Sequence, residues 1–197
     1  FLEINGSYLA NYIIPLEEDV PFCYKGNKRD TIKISQKNAG KTIAQAIFDE
    51  AQEHQINPQV ILTIFQKEHE AIKKLKNIPN KSSHAWILGY GYNESICTYT
   101  FNRAKSQAEL GGIGNQIAYA VLNLRNNFNK GIGPNNSKVG DTIIISNENK
   151  EPSKVILSNR ATACLYRYTP HVYYGNYNFW KIYQDYSTNQ SYRIASI

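Results

Sequence analysis

An α+β domain, mainly helical with one small β-hairpin, is the fold class this sequence predicts, on three observations. Apolar residues recur at helical spacing through most of the chain after residue 40. Two helix starts carry capping signals, Thr42-Ile43-Ala44-Gln45 and Asn57-Pro58. Two β-branched runs, Thr142 to Ser146 and Lys154 to Ser158, flank the polar turn Asn147 to Pro152.

Taken in order, residues 1–40 form an N-terminal extension packed on the domain. They hold a possible short helix around Gly6 to Tyr12 and extended, charged segments around Asp30 to Ser35. The first long helix follows Thr42, with Ile43, Ala46, Ile47 and Ala51 on one face, and His54 to Asn57 ends it. Asn57-Pro58 opens the second: a capping side chain precedes a proline whose missing N–H costs nothing at the first helical position. Its pattern runs to Lys76 and Pro79 bounds it. Further helices are predicted at Ser83 to Leu88, Phe101 to Leu110 and Ile113 to Phe128. After the turn Gly131-Ile132-Gly133-Pro134 comes the hairpin, about residues 139–158, and helices at Asn159 to Tyr168 and Asn178 to Tyr186 close the chain. The 197 residues suit one domain with a sizeable core.

A formal charge of +6 attracts acidic partners: nucleic acid, anionic lipid or cell-wall polymer. Lysines are scattered apart from Lys73, Lys74 and Lys76, and no arginine-rich arm or nucleic-acid motif occurs, so no nucleic-acid partner is expected. No run of 18 apolar residues exists, so no integral membrane segment is expected. The chain starts at Phe1 and holds no methionine, so an initiator is expected to have been removed, as in a mature exported protein or a trimmed fragment. Of the three cysteines, Cys164 reads as a small buried thiol, while Cys23 and Cys97 can pair in an oxidising compartment. Sequence leaves that pairing open. Most of the fifteen tyrosines read as packing residues.

The stretch ILTIFQKEHEAI, residues 61–72, raises the functional question. At 100° per residue Ile61, Phe65, Ile72 and Leu75 fall in a stripe about 80° wide. Glu68 lies inside that stripe, His69 at its edge, and Lys67 and Glu70 point away. A carboxyl held against apolar surface keeps its proton, which a general acid requires. The alternative is a salt bridge to a lysine or arginine of another helix.

Three further stretches join it: IGNQI at 113–117, ATACLYRYTP at 161–170 and INPQVILTIFQKE at 56–68. In this order they resemble the lysozyme-like superfamily of lytic transglycosylases and goose-type lysozymes. More closely, the chain is similar to bacterial secreted, wall-associated lysozyme-like domains with a Gln-Lys-Glu helix, a Gly-Tyr-Gly loop, an Asn-Gln helix and a Thr-Ala-x-Leu-Tyr-x-Tyr-Thr-Pro segment. Here these are Asn57 to Glu68, Gly89-Tyr90-Gly91, Asn115-Gln116 and Thr162 to Pro170. FLEINGSYLANY, residues 1–12, also looks like a segment of those domains that has more chain before it.

The resemblance implies a lysozyme-like fold, a secreted, periplasmic or wall-associated setting, and cleavage of β-1,4-linked MurNAc/GlcNAc strands of peptidoglycan. Glu68 would be the general acid/base. Gln116 would bind sugar or hold the cleft, and Tyr166 would hydrogen-bond near the glutamate. Tyr90 and Asn115 come with their motifs, while Tyr168 and His171 are further candidates for lining the groove. Arg167 stands where the broader motif has asparagine.

A hydrolase needs a second carboxylate, roughly 5–5.5 Å away for retention and 6.5–9.5 Å for inversion; Glu94, then Asp141, are the candidates. A transglycosylase works with Glu68 alone. No cofactor is implied, and with neither HExxH nor zinc-spaced cysteines no metal is expected. The expected state is a monomer, with an inhibitor or immunity protein as a further partner if the chain is an antibacterial toxin. The competing readings are a non-catalytic wall-binding module, a β-N-acetylglucosaminidase using the same glutamate, and a cysteine hydrolase built on Cys97.

Overall fold

A computed structural model describes Leu2 and residues 6–73, 84–91, 97–147 and 150–188. It is α+β, with helices surrounding a central core and two separate antiparallel hairpins. The N-terminal hairpin is the first departure from expectation. β1 (Glu17–Tyr24) pairs with β2 (Lys28–Ser35) in unbroken register from Glu17–Ser35 to Tyr24–Lys28. Gly26 and Asn27, both at positive φ, make the turn. Alternation carries the pair: Val20, Phe22 and Ile34 turn inward onto Ala85, Trp86, Ala104 and Ala108. Charge on the outward positions hides that signal in the sequence. Cys23 and Cys97 form a disulfide that ties β1 to the chain entering α3.

α1 (Ile43–Glu53) and α2 (Pro58–His69) start where the caps place them: Thr42 Oγ1 accepts from the Gln45 N–H and Asn57 Oδ1 from the Gln59 N–H. α2 ends at His69, seven residues before the expected Lys76. Glu70 takes a left-handed conformation, φ 51°, and its N–H bonds back to Gln66 and Phe65. The Gln66 side chain then accepts from the N–H groups of Ile72 and Lys73, satisfying the donors that a continuing helix would have used. Ile72 is buried as expected, although not as part of a helix. Lys74 to Lys76 lie outside the described residues.

His84 and Ala85 are helical and a turn runs to Leu88. α3 (Phe101–Ala108) and α4 (Ile113–Lys130) follow. The second hairpin pairs β3 (Thr142–Asn147) with β4 (Lys150–Ile156), so Pro152 lies within a strand rather than in the turn. Such a two-stranded sheet is all edge, where a missing N–H is tolerated. α5 (Arg160–Tyr168), a π-helical turn (Val172–Tyr177) and α6 (Asn178–Thr188) complete the described chain. The main core gathers Ile43, Ile47, Ile61, Ile64, Phe65, Ile113, Ile117, Leu124 and Cys164, so α4 runs through the centre with α1, α2 and α5 around it. Among the described residues no helix is long and apolar enough to cross a membrane.

Candidate active site

The last turn of α2 opens onto a groove of about 590 Å³. Its walls are Lys67 and Glu68, the loop Leu88–Gly91, Asn123 of α4, and the stretch from Arg167 to His171 with Tyr174. Glu68 is the single carboxylate among these described lining residues. Its side chain is 29% exposed, so it sits on the groove wall, partly open to water. Oε1 lies 2.5 Å from Lys67 Nζ, which also donates to Thr169 Oγ1 at 3.2 Å.

Lys67 therefore does not point away to solvent as the stripe implied. Its side chain is only 7% exposed. Its ammonium is held between Glu68 Oε1 and Thr169 Oγ1 of the segment after α5. The ion pair anticipated from another helix comes instead from the neighbouring residue.

The facing wall is the Gly-Tyr-Gly loop. Gly89 and Gly91 both take positive φ, 68° and 70°. A Cβ on Gly91 would stand 2.6 Å from Leu110 Cδ1, and one on Gly89 would come within 4.0 Å of Glu68 Oε2. Gln116 is fully buried and holds this loop: its Oε1 accepts from the Tyr90 N–H at 3.1 Å, and its Nε2 donates to the carbonyls of Tyr90 and Leu110, both at 2.9 Å. Every bond it makes goes to backbone. Of its two expected roles, holding the cleft is the one its contacts match; direct sugar binding is not.

Asn115 is corrected outright as a substrate contact. It is buried, accepts from the Lys37 N–H at 2.9 Å, and donates to the carbonyls of Ser35 and Gly111, both at 3.2 Å. Tyr90 does line the groove, with its ring stacked against Tyr119.

Of the two α5 tyrosines expected at the site, the groove takes one. Tyr166 packs with Ile145, Leu157 and Ala163 under the second hairpin and does not line the groove. Tyr168 does: its hydroxyl donates to the Leu88 carbonyl at 2.6 Å. Burial pushes that hydroxyl well above the usual tyrosine range, with the charges of Glu68 and Tyr90 adding to the effect. His171 lies exposed on the groove's rim. Arg167 donates to the Gly133 carbonyl at 3.0 Å, which leaves it bridging α5 to the turn after α4.

Glu94 lies outside the described residues. Asp141 accepts from the Lys138 N–H at 2.8 Å and does not line the groove. Lys67, Asn123, Thr169 and Tyr174 were missed as site residues; of these Lys67 and Thr169 had a signal, inside the Gln-Lys-Glu and Tyr-Thr-Pro motifs.

Other chemistries find less support. Cys97 is consumed in its disulfide, which removes the cysteine-hydrolase reading. Cys164 is free but buried, its thiol pushed up to about 11 mainly by desolvation. Glu50, Glu53 and His54 cluster on α1, but none of them lines the groove. No protein-family model matches this chain, and comparison with curated proteins and with solved structures returned no match either.

Proposed function

We propose that the protein is a peptidoglycan-cleaving glycosidase of lysozyme-like fold, secreted or wall-associated, with Glu68 as general acid/base. The reading rests on one observation above others: a lone carboxylate, among described lining residues, at the end of a capped helix and facing a glycine-built loop across an open groove. The net charge of +6 supports it, because peptidoglycan carries anionic peptides and polymers.

Glu68 delivers a proton to the glycosidic oxygen as the C–O bond breaks toward an oxocarbenium-like centre. Lys67 supplies the means to hold that proton. Its ammonium stands 2.5 Å from Glu68 Oε1, within reach to pass a proton to the carboxylate. After cleavage the Glu68 carboxylate accepts a proton from the attacking hydroxyl, either water or the 6-hydroxyl of the same sugar. The second route, a transglycosylase, needs no carboxylate beyond Glu68, the single one among the described lining residues.

The Lys67–Glu68 pair also gives ground for another reading, a wall-binding module that keeps the groove without catalysis. Glu68→Gln separates the two. On purified sacculi, the enzyme reading expects soluble muropeptide release to fall at least ~100-fold with sacculus binding intact. Unchanged release overturns Glu68 as the acid, and a wild-type protein that binds without releasing fragments establishes the module. Mass spectrometry of the products assigns the route: anhydro ends for transglycosylation, reducing ends for hydrolysis.

A further inference from the structure

Beyond the groove runs an aromatic surface that the chemistry at Glu68 does not use. Tyr174, Tyr177 and Trp180 are 80%, 52% and 54% exposed, three large rings within seven residues. Isolated exposed rings need no explanation, but a cluster marks a contact surface. Tyr174 is itself part of the groove wall. The rings of Tyr177 and Trp180 stack on one another, their planes within 20° and their centroids 5.9 Å apart.

The surface is held firmly. Asn176 Nδ2 donates to the carbonyls of Thr169 at 2.7 Å and His171 at 3.1 Å, which pins the π-helical turn to the groove's rim. Gly175 is buried where a Cβ would meet His171 and Thr169 at 2.9 Å. α6 is bonded to the helix bearing Glu68 through Gln59 Nε2 to the Tyr183 carbonyl at 2.8 Å, and to the turn after that helix through Lys73 to Asp185 at 2.5 Å.

We propose that Tyr174, Tyr177 and Trp180 form a stacking platform for further sugar rings of the β-1,4-linked aminosugar strand whose bond lies at Glu68. This rests on the glycosidase reading above. A β-1,4-linked glucosamine-type pyranose carries its substituents equatorially, which leaves flat C–H faces that suit an exposed aromatic ring, while its hydroxyls turn to the side. The sequence neighbours of the rings, Asn176, Asn178 and Lys181, are polar, and Lys181 Nζ lies 5.8 Å from the Tyr177 centroid. A membrane surface calls for aliphatic side chains among the rings, and these neighbours are polar.

Tryptophan fluorescence reads the platform directly, because the chain has two tryptophans and Trp86 is only 6% exposed. Adding a soluble β-1,4-linked N-acetylglucosamine hexamer to the wild-type protein is expected to shift the emission of Trp180 to shorter wavelength, saturably, with the shift lost in Trp180→Phe. On sacculi, the double substitution Tyr177→Ala with Trp180→Ala should weaken binding about tenfold with an unchanged thermal melt, and Trp180→Phe should keep most of the affinity. Unshifted emission, or double-variant affinity within twofold of wild type, overturns the platform while leaving Glu68 in place. Loss of binding to phosphatidylglycerol vesicles but not to sacculi overturns it in favour of a lipid surface. A wild-type protein that neither binds nor cleaves sacculi removes the glycosidase reading itself, and the platform with it.

Discussion

Gln116→Met tests how the groove is built. The substitution keeps a long, unbranched side chain of similar volume in a fully buried position and removes three hydrogen bonds, to Tyr90 N–H, Tyr90 C=O and Leu110 C=O. At about 1–3 kcal/mol for each buried group left without a partner, the loss is roughly 3–9 kcal/mol if the loop stays shut. That is a large share of the stability of an ordinary domain, roughly 5–15 kcal/mol. Opening the loop to water recovers part of the loss, and the cost then appears as mobility at Tyr90.

Two assays separate these outcomes. Urea melts read the global loss, and amide hydrogen exchange at Tyr90 reads the local one, with protection falling by up to about 100-fold. Either result makes Gln116 a positioning residue, and wall cleavage should fall with it because the wall facing Glu68 moves. A variant within about 0.5 kcal/mol of wild type, with Tyr90 protected as before but with weaker glycan binding, refutes the argument. Such a result returns Gln116 to direct sugar contact.

The disulfide spans 74 positions, so chain-entropy arguments assign it about 4 kcal/mol; reduction should lower the urea midpoint accordingly, and labelling of the unreduced, unfolded protein should find one thiol, Cys164. Stability should fall on the alkaline side. Folding raises Cys164 from 9.0 to about 11 and raises Tyr8, Tyr12, Tyr166 and Tyr168 above their ordinary 10.0, so the unfolded chain releases protons first. The contribution is intact below about pH 9 and is lost as pH climbs past 10; a melting temperature that holds steady from pH 8 to 11 contradicts it. Lys67→Met preserves the buried stem and removes the ammonium. It should leave folding within about 1 kcal/mol of wild type and cut wall cleavage about 100-fold at saturating sacculi; full cleavage by this variant removes Lys67 from the proton path.

Local signals made much of the fold legible. Thr42 and Asn57 cap the two helices they were expected to open, and the periodicity of α4, from Ile113 to Leu124, places it in the core. What was not legible depends on contacts distant in sequence or on a single backbone choice. β1 and β2 carry short alternating signals, Val20 with Phe22 and Ile32 with Ile34, which gain meaning only when Ala85, Trp86, Ala104 and Ala108 pack beneath them. The end of α2 turns on Glu70 going left-handed while Gln66 folds back. No proline or glycine announces it, and the apolar pattern continues through Ile72.

The site follows the same division. Glu68 was found by its position on a helical stripe, a local property, and Gly89-Tyr90-Gly91 by its composition. Tyr166 and Tyr168 are two residues apart on one helix, about 200° around its axis, so a groove on one side accepts one of them and excludes the other. A sequence motif aligns letters without fixing that rotation. Here the second hairpin decides it: Ile145 and Leu157 take Tyr166, which turns Tyr168 to the groove. The loop opposite Glu68 is then held from three helices, by Tyr168 of α5 at Leu88, Gln116 of α4 at Tyr90 and Gln107 of α3 at Gly91. Residues that a family pattern offers as sugar contacts can thus be the ones that fix the backbone the sugar meets, which makes the shape of the wall, as much as its polar groups, a candidate source of selectivity.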